Sequence, residues 1–117
     1  MRERRLLHNG RALAPRVLAC ETFLERARGL ALRRRTLSSA IVKIAPCAGV
    51  HTLGLRAAID VVFTDRDGRV LRCVHRLEPW RAAVCGRALA AWEMPAGLCR
   101  RLGIQPGDRL DDMSAVP

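Results

Sequence analysis

Two apolar segments on either side of a short turn constrain the fold more than any other part of the sequence. Residues 59–64 are apolar and rich in β-branched side chains, residues 65–68 read Asp-Arg-Asp-Gly, and residues 69–77 form a second strand-like segment. Gly68 supplies the positive φ that a short hairpin loop needs, and the aspartates on either side of Arg66 can accept hydrogen bonds within the turn. The sequence therefore predicts a β-hairpin in which Gly68 has a structural role.

One acidic residue interrupts the first strand of this hairpin. Asp60 stands among isoleucine, valine and phenylalanine side chains, although aspartate is disfavoured in strands. If Asp60 is buried, its charge needs a partner, and His51, Thr52 and Arg56 are the nearest candidates in sequence. A carboxylate that fixes one tautomer of the imidazole leaves the other ring nitrogen available as a base or a ligand. We therefore expect a polar cluster here, which is either a ligand site or a structural contact.

Three bulky or acidic residues lie outside this cluster. Glu93 stands between bulky neighbours and either pairs with an arginine such as Arg28 or lines a cleft, so it is a fifth candidate site residue. Trp80 and Trp92 are expected in the hydrophobic core rather than on a ligand.

The formal charge of +10 invites a nucleic-acid interpretation. Twenty of the twenty-one basic residues are arginine, and residues 1–35 hold ten arginines against three glutamates. The excess is therefore local to the N-terminus and to residues 33–35. We interpret these arginines as solvated faces and keep nucleic acid as an alternative partner.

The cysteines and the hydropathy pattern address compartment and cofactors. No stretch reaches the ~20 apolar residues of a membrane span, and the basic N-terminus is not followed by the hydrophobic run of a signal peptide. The five cysteines include no Cys-x-x-Cys pair, which favours reduced thiols and a cytoplasmic location. A metal set of Cys47, His51, Cys73 and His75 would take its ligands singly from separate segments, so no metal or cofactor is expected.

The order of segments predicts an α+β fold. It is a compact, mainly antiparallel sheet curled into an open barrel or clam, with two short helices. Residues 1–12 are expected to be a mobile basic segment outside the core, with a turn at Asn9-Gly10, and residues 113–117 a tail around a single domain of residues 13–112. The predicted elements are strands at 16–20, 40–45, 59–64, 69–77 and 88–94 and from 109 onwards, and helices at 22–30 and 98–102.

Three blocks of the sequence resemble a bacterial family known as domain of unknown function 192, or uncharacterised protein family 127. They are Arg-Ala-Arg-Gly-Leu at 26–30, the segment from Cys47 to Phe63, and Trp-Glu-Met-Pro-Ala-Gly at 92–97 with residues 102–110. The likeness implies a compact, mainly β domain with short helices and no established activity. The sequence departs from the family pattern at Leu55, Ala58 and Trp92. We assign structural roles to Arg26, Gly29, Gly68, Gly97, Gly103, Gly107 and Asp108.

We therefore expect a small, non-catalytic binding or accessory domain with an unknown protein or small-molecule partner. Its ligand surface is expected around His51, Thr52, Arg56, Asp60 and Glu93. One alternative is a small hydrolase-like or metal-assisted enzyme that uses His51 and Asp60. A further alternative is a nucleic-acid-binding protein, because residues 102–110 resemble the closing turn of AbrB-like transcription regulators.

Overall fold

The structure is a computed structural model that describes residues 2–20 and 40–114. These two ranges contain nine strands and one short helix. They are β1 Arg2–His8, β2 Arg11–Cys20, β3 Ala40–Ile44, β4 Gly49–His51, β5 Ile59–Thr64, β6 Val70–Leu77, β7 Ala82–Val84, β8 Ala90–Pro95, α1 Leu98–Leu102 and β9 Leu110–Ser114. The described chain is thus mainly β with little helix. The predicted helix at 22–30, with Arg26 and Gly29, lies outside the described residues.

Seven strands form one mixed sheet in the order β6-β5-β8-β3-β2-β1-β9. Only β2 and β3 run parallel; the other neighbours are antiparallel. The two edge strands approach at one end, through a bridge between Arg69 and Arg109 and a 2.8 Å hydrogen bond from the Leu110 N–H to the Gly68 carbonyl. The sheet is curled, and it is not a closed barrel.

The predicted central hairpin is present as β5 and β6. Gly68 has φ 81°, and Oδ1 of Asp65 accepts hydrogen bonds from the backbone N–H groups of Asp67 and Arg69 at 2.9 and 3.0 Å. A Cβ at position 68 would lie 3.0 Å from the Leu110 carbonyl oxygen and would also meet the Asp111 side chain. Glycine is therefore required both by the turn and by the close approach of β9.

Both faces of the central strands are buried. Because side chains alternate along a strand, β5 and β8 send Val62, Trp92 and Met94 to the concave side of the curled sheet. Their neighbours Val61 and Phe63 lie on the convex side, where the two-stranded sheet of β4 and β7 packs over them. Every residue of β5 is buried, Asp60 included.

The N-terminal segment differs from the prediction. Residues 2–8 form β1, which pairs with both β2 and β9, and Leu6 is fully buried in the concave core. Asn9 and Gly10 have φ 51° and 82°, the left-handed geometry of a two-residue hairpin turn, which folds β1 back along β2. The expectation that residues 1–12 contribute nothing to the core is wrong. At the other end, β9 continues to Ser114, into the predicted tail.

Candidate functional site

Asp60 is fully buried, and three backbone N–H groups hold its carboxylate. Oδ1 accepts from Arg76 at 2.9 Å, and Oδ2 accepts from Gly97 at 2.9 Å and from Cys99 at 3.1 Å. These donors come from β6 and from the start of α1, not from the His51-Thr52 segment that sequence proximity suggested. Hydrogen bonds from several N–H groups stabilise an ionised carboxylate without a cation.

The local backbone explains why these donors are available. The pairing of β5 with β6 shifts register between Ile59 and Val61, and Arg76 has φ 53°, so the N–H of Arg76 is turned to the side chain of Asp60. The N-cap of helix α1 is Gly97, which has no side chain to cap the helix, and the first turn of α1 has no acidic residue. Asp60 supplies this missing cap from the sheet.

The far end of α1 explains the other predicted structural glycines. Gly103 has φ 72°, and the N–H groups of Gly103 and Ile104 bond back to Arg100 and Cys99 at 3.0 and 3.1 Å. This double hydrogen bond is a Schellman C-cap. Gly107, with φ 92°, follows in a turn that a 3.1 Å bond from the Asp108 N–H to the Gln105 carbonyl closes.

Asp108 joins this turn to the N-terminal strand. Its Oδ2 lies 2.8 Å from Nε2 of His8 and accepts a 2.9 Å hydrogen bond from the Gln105 N–H. The hydrogen bond with His8 is the main reason why the pKa of the Asp108 carboxyl lies below its usual value of 3.8, and the Gln105 N–H lowers it further. Asp108 thus stabilises the seam where the two sheet edges meet.

Thr52 is the centre of a second buried polar network. Its hydroxyl donates to the Glu78 carbonyl at 2.6 Å and accepts from the Arg81 N–H at 2.9 Å. Its backbone N–H donates to the Arg81 carbonyl at 2.8 Å, and its own carbonyl accepts from Trp80 and Leu55, both at 3.2 Å. Thr52 therefore binds the loop after β4 to the loop between β6 and β7.

An exposed tryptophan, Trp80, is hydrogen-bonded to this network through its backbone N–H. Trp80 is 68% exposed and has φ 64°, a left-handed conformation that is rare for a bulky residue. The expectation that Trp80 belongs to the core is wrong, whereas Trp92 is fully buried and donates to Thr64 Oγ1 at 3.0 Å. Leu53 is also largely exposed. We call this face the Trp80 surface, defined by His51, Leu53, Arg56, Trp80 and Arg81.

Glu93 and Asp60 lie on opposite faces of the large sheet. Asp60 is opposite Met94 in the register, and Met94 belongs to the concave core. Glu93 is opposite Val61 on one side and Val42 on the other, and both valines belong to clusters on the convex side. Glu93 is fully buried there; the expected partner Arg28 lies outside the described residues.

Among the five candidates, the structure therefore brings His51, Thr52 and Arg56 to the small sheet and its loop. His51 ends β4, is exposed, and accepts a 3.3 Å hydrogen bond at Nδ1 from the Leu53 N–H. Arg56 is exposed just after the turn between Thr52 and Leu55. Asp60 is separate from these three, on the concave side.

Comparison with known proteins identifies the family. Residues 5–111 match the family DUF192, described as "Uncharacterized ACR, COG1430". The chain belongs to this family. A UPF0127 protein from Thermococcus sibiricus is 33% identical over 119 residues, which cover 92% of this chain and 76% of the relative.

Two solved structures share the fold of this DUF192 member. A protein of unknown function from Novosphingobium aromaticivorans has a TM-score of 0.75 and 24% identity, over 93% of this chain and 83% of that one. A Sinorhizobium meliloti protein described as a "putative transcription regulator" has a TM-score of 0.76 and 22% identity, over 94% of this chain and 93% of that one. At these identities the likeness concerns the fold alone.

Two clefts in the described part of this DUF192 chain lie away from its five candidate residues. One open cleft of about 750 Å³ is lined by Arg66, Leu71, Arg87 and neighbouring residues, and a smaller one of about 90 Å³ lies beside Lys43 and Trp92. None of His51, Thr52, Arg56, Asp60 and Glu93 lines either cleft. Within residues 2–20 and 40–114, no three His, Cys, Asp or Glu side chains are close enough to hold a metal ion, and no helix is long and apolar enough to cross a membrane.

Sequence reasoning missed Trp80 as an exposed residue, although a signal was present. Trp80 follows Glu78-Pro79 at the end of the second hairpin strand, and proline there favours a surface loop. Its contact with Thr52 was not predictable, because the two residues belong to separate loops that meet only when β4 pairs with β7.

Proposed function

We propose that this protein is a non-catalytic binding domain and that its Trp80 surface binds an acidic segment of a partner protein. The observation that carries the proposal is the placement of Trp80. It is a large aromatic side chain, 68% exposed, in a left-handed backbone conformation that the buried Thr52 network maintains. Strained residues held by their surroundings cluster at functional sites.

The composition of the Trp80 surface suits a protein partner. Tryptophan and arginine dominate the residues that contribute most to protein–protein affinity, and here Arg81 follows Trp80 directly. Leu53, 45% exposed, adds an aliphatic contact on the neighbouring loop. A rigid aromatic anchor beside adaptable cations is a common arrangement at such interfaces.

The charge of this region determines which partners it favours. The Trp80 surface contains Arg56 and Arg81 and no acidic side chain, and the segment just before Trp80 adds Arg76 and one glutamate. That glutamate, Glu78, has its carboxylate 3.8 Å from the Arg76 guanidinium, so it offsets only part of the positive charge. Electrostatic complementarity therefore favours an acidic segment, chiefly by raising its association rate.

The remaining geometry favours binding over catalysis. Both Asp60 oxygens accept backbone hydrogen bonds, and the carboxylate lies on the concave side of the sheet, away from His51 on the small sheet. The pairing that the enzyme alternative requires is therefore unsupported. Small-molecule sites are concave, whereas Trp80 is presented on an exposed loop.

Nucleic acid is the second candidate partner, because the chain carries a net charge of +10 and one structural neighbour is described as a transcription regulator. The aliphatic Leu53 beside Trp80 favours protein over nucleic acid, because phosphates and base edges call for polar contacts.

A display selection tests the proposal without a known partner. Random peptides on phage are selected against the purified protein, without subtraction against any variant, and the enriched peptides are then measured on the parent and on each variant. We expect enriched peptides rich in Asp and Glu with one apolar or aromatic anchor. Their affinity should fall at least about tenfold in Trp80→Ala and in Arg81→Glu.

Arg101→Glu is the matched control, since Arg101 is exposed on α1 and lies outside the Trp80 surface. Its peptide affinity should equal that of the parent. A parallel arm uses duplex DNA of random sequence. Peptides that bind Trp80→Ala as well as the parent would contradict the proposal, and so would tight, salt-dependent DNA binding that Arg81→Glu removes.

A further inference from the structure

Two cysteines that are distant in sequence lie together at the concave side of the sheet. Cys73 is half-buried on β6, and Cys99 is buried in the first turn of α1. Both sulfurs contact the Ile104 carbonyl oxygen, at 3.9 Å from Cys73 Sγ and 3.6 Å from Cys99 Sγ. The two thiol groups therefore meet at one backbone oxygen. The fold thus builds a dithiol from residues that have no Cys-x-x-Cys spacing.

The two thiols are chemically unequal. The neighbouring Cys99 thiol, which can donate a hydrogen bond to a Cys73 thiolate, is the main influence on Cys73 and lowers its pKa, although burial and the nearby Asp108 and Asp60 carboxylates act in the opposite direction. The same hydrogen bond, followed by burial, raises the pKa of Cys99. Cys73 is also the more accessible of the pair. An accessible thiolate beside a second thiol is the arrangement that reacts with oxidants and then resolves to a disulfide.

We propose that Cys73 and Cys99 form an oxidation site for hydroperoxides. The Cys73 thiolate attacks the terminal oxygen of the hydroperoxide, the O–O bond breaks, and the leaving alkoxide, or hydroxide from hydrogen peroxide, takes up a proton. Cys73 is then a sulfenic acid. The Cys99 sulfur then attacks the sulfur of this Cys73 sulfenic acid. An S–S bond forms, the S–O bond of Cys73 breaks, and the hydroxyl group leaves as water with the proton of the Cys99 thiol. Two thiols and one hydroperoxide thus give one disulfide, one alcohol or water, and one further water.

The position of this pair gives the disulfide a defined structural effect. Cys99 donates its backbone N–H to Asp60, and Cys73 lies on the edge strand of the seven-stranded sheet. The disulfide would therefore fix the start of α1 to this edge. This site is independent of the Trp80 surface, so either proposal can fail without the other.

Peptide mapping of the native protein tests the proposal. The folded protein is treated with hydrogen peroxide, and the remaining thiols are blocked with N-ethylmaleimide. The protein is then digested with trypsin, and the peptide masses are measured by mass spectrometry. Cleavage after Arg72, Arg76, Arg87 and Arg100 places Cys73 and Cys99 in separate peptides and Cys85 in a third. We expect the peptides 73–76 and 88–100 joined, with a mass lower by two hydrogens than their sum, and separated again by dithiothreitol.

Variants identify the order of the steps. In Cys99→Ser, Cys73 should stop at the sulfenic acid and be trapped by dimedone. In Cys73→Ser, Cys99 should remain a thiol. Cys85→Ser is the matched control, because Cys85 is also a half-buried free cysteine, and it should form the joined peptide as the parent does. The mapping on the parent requires no variant to fold. The proposal would be overturned if the joined peptides 73–76 and 88–100 are absent, or if Cys85 is oxidised as fast as Cys73.

Discussion

Two polar regions lie close together in sequence but on different sides of the large sheet. Asp60 is fully buried on the concave side of the sheet, and its carboxylate is occupied by backbone N–H groups of β6 and α1. His51, nine residues earlier, lies exposed on the small sheet that covers the convex side. Chain proximity predicted one cluster, but the large sheet places these residues on different sides.

The difference lies in how each region uses its buried polar residue. Asp60 satisfies other backbone groups and thereby fixes a helix end. Thr52 also satisfies backbone groups, but its network ends at an exposed, strained tryptophan. The Asp60 region therefore contributes to stability. In the Thr52 region, we propose, the strained backbone of Trp80 lowers stability and presents a binding surface.

Asp60→Ala gives the largest expected effect and tests the first region. Three backbone N–H groups would lose their acceptor inside the protein, so the free energy of unfolding should fall by about 3–5 kcal/mol. Urea denaturation followed by circular dichroism measures this loss. Asp67→Ala, in the exposed turn of the same hairpin, is the control and should change the free energy by less than about 0.5 kcal/mol. Equal effects of the two substitutions would remove the special role of Asp60.

Thr52→Val tests the link between the two loops. Valine keeps the shape of threonine but cannot hydrogen-bond to the Glu78 carbonyl or the Arg81 N–H. The free energy of unfolding should therefore fall by about 1–3 kcal/mol. Thr52→Ser keeps the hydroxyl and should restore most of the loss. A valine variant as stable as the parent would show that this network does not hold Trp80.

Trp80→Gly distinguishes the binding region from the structural one. Glycine accepts the left-handed backbone without strain, so stability should stay the same or rise, by no more than about 1 kcal/mol. Peptide binding should nevertheless be lost. Trp80→Ala removes the indole but keeps the strain, so it should be less stable than Trp80→Gly in thermal melting. A large loss of stability in both variants would make Trp80 a packing residue.

Asp108→Asn gives the smallest expected effect and a distinct pH dependence. The hydrogen bond with His8 lowers the pKa of Asp108 in the folded protein below 3.8, so its contribution to stability is present above that pH and disappears as the pH falls through the lower value. The variant should be less stable than the parent at about pH 7, and the difference should shrink below about pH 4. Denaturation curves over this range measure it. A difference that stays constant with pH would contradict the assignment.

Much of the fold could be predicted from local sequence signals. A run of apolar, β-branched residues followed by the Gly68 turn indicated the central hairpin, and Gly103 marked the end of α1. The N-terminal strand was missed because the short apolar pair Leu6-Leu7 follows four charged residues, although Asn9-Gly10 is a strong hairpin signal. The pairing of β1 with β9 joins the two ends of the chain, and no local pattern encodes it.

The candidate site was predicted less well, for a physical reason. The apolar neighbours of Asp60 made its burial a question that the sequence left open, and the structure has it fully buried. Its partners did not follow, because backbone N–H groups carry no residue-specific signal and Gly97 and Cys99 come from a helix far along the chain. The sequence suggested that Asp60 pairs with a side chain, whereas in the structure its carboxylate accepts hydrogen bonds from backbone N–H groups.

A double-mutant cycle on His51 and Asp60 tests the separation of the two regions most directly. Urea denaturation gives the unfolding free energies of the parent, His51→Ala, Asp60→Asn and the double variant. Because Asp60 bonds to β6 and α1 while His51 lies on the small sheet, the effects should add, with a coupling energy below about 0.5 kcal/mol. A coupling clearly above that value would place the two side chains in one site and contradict the account.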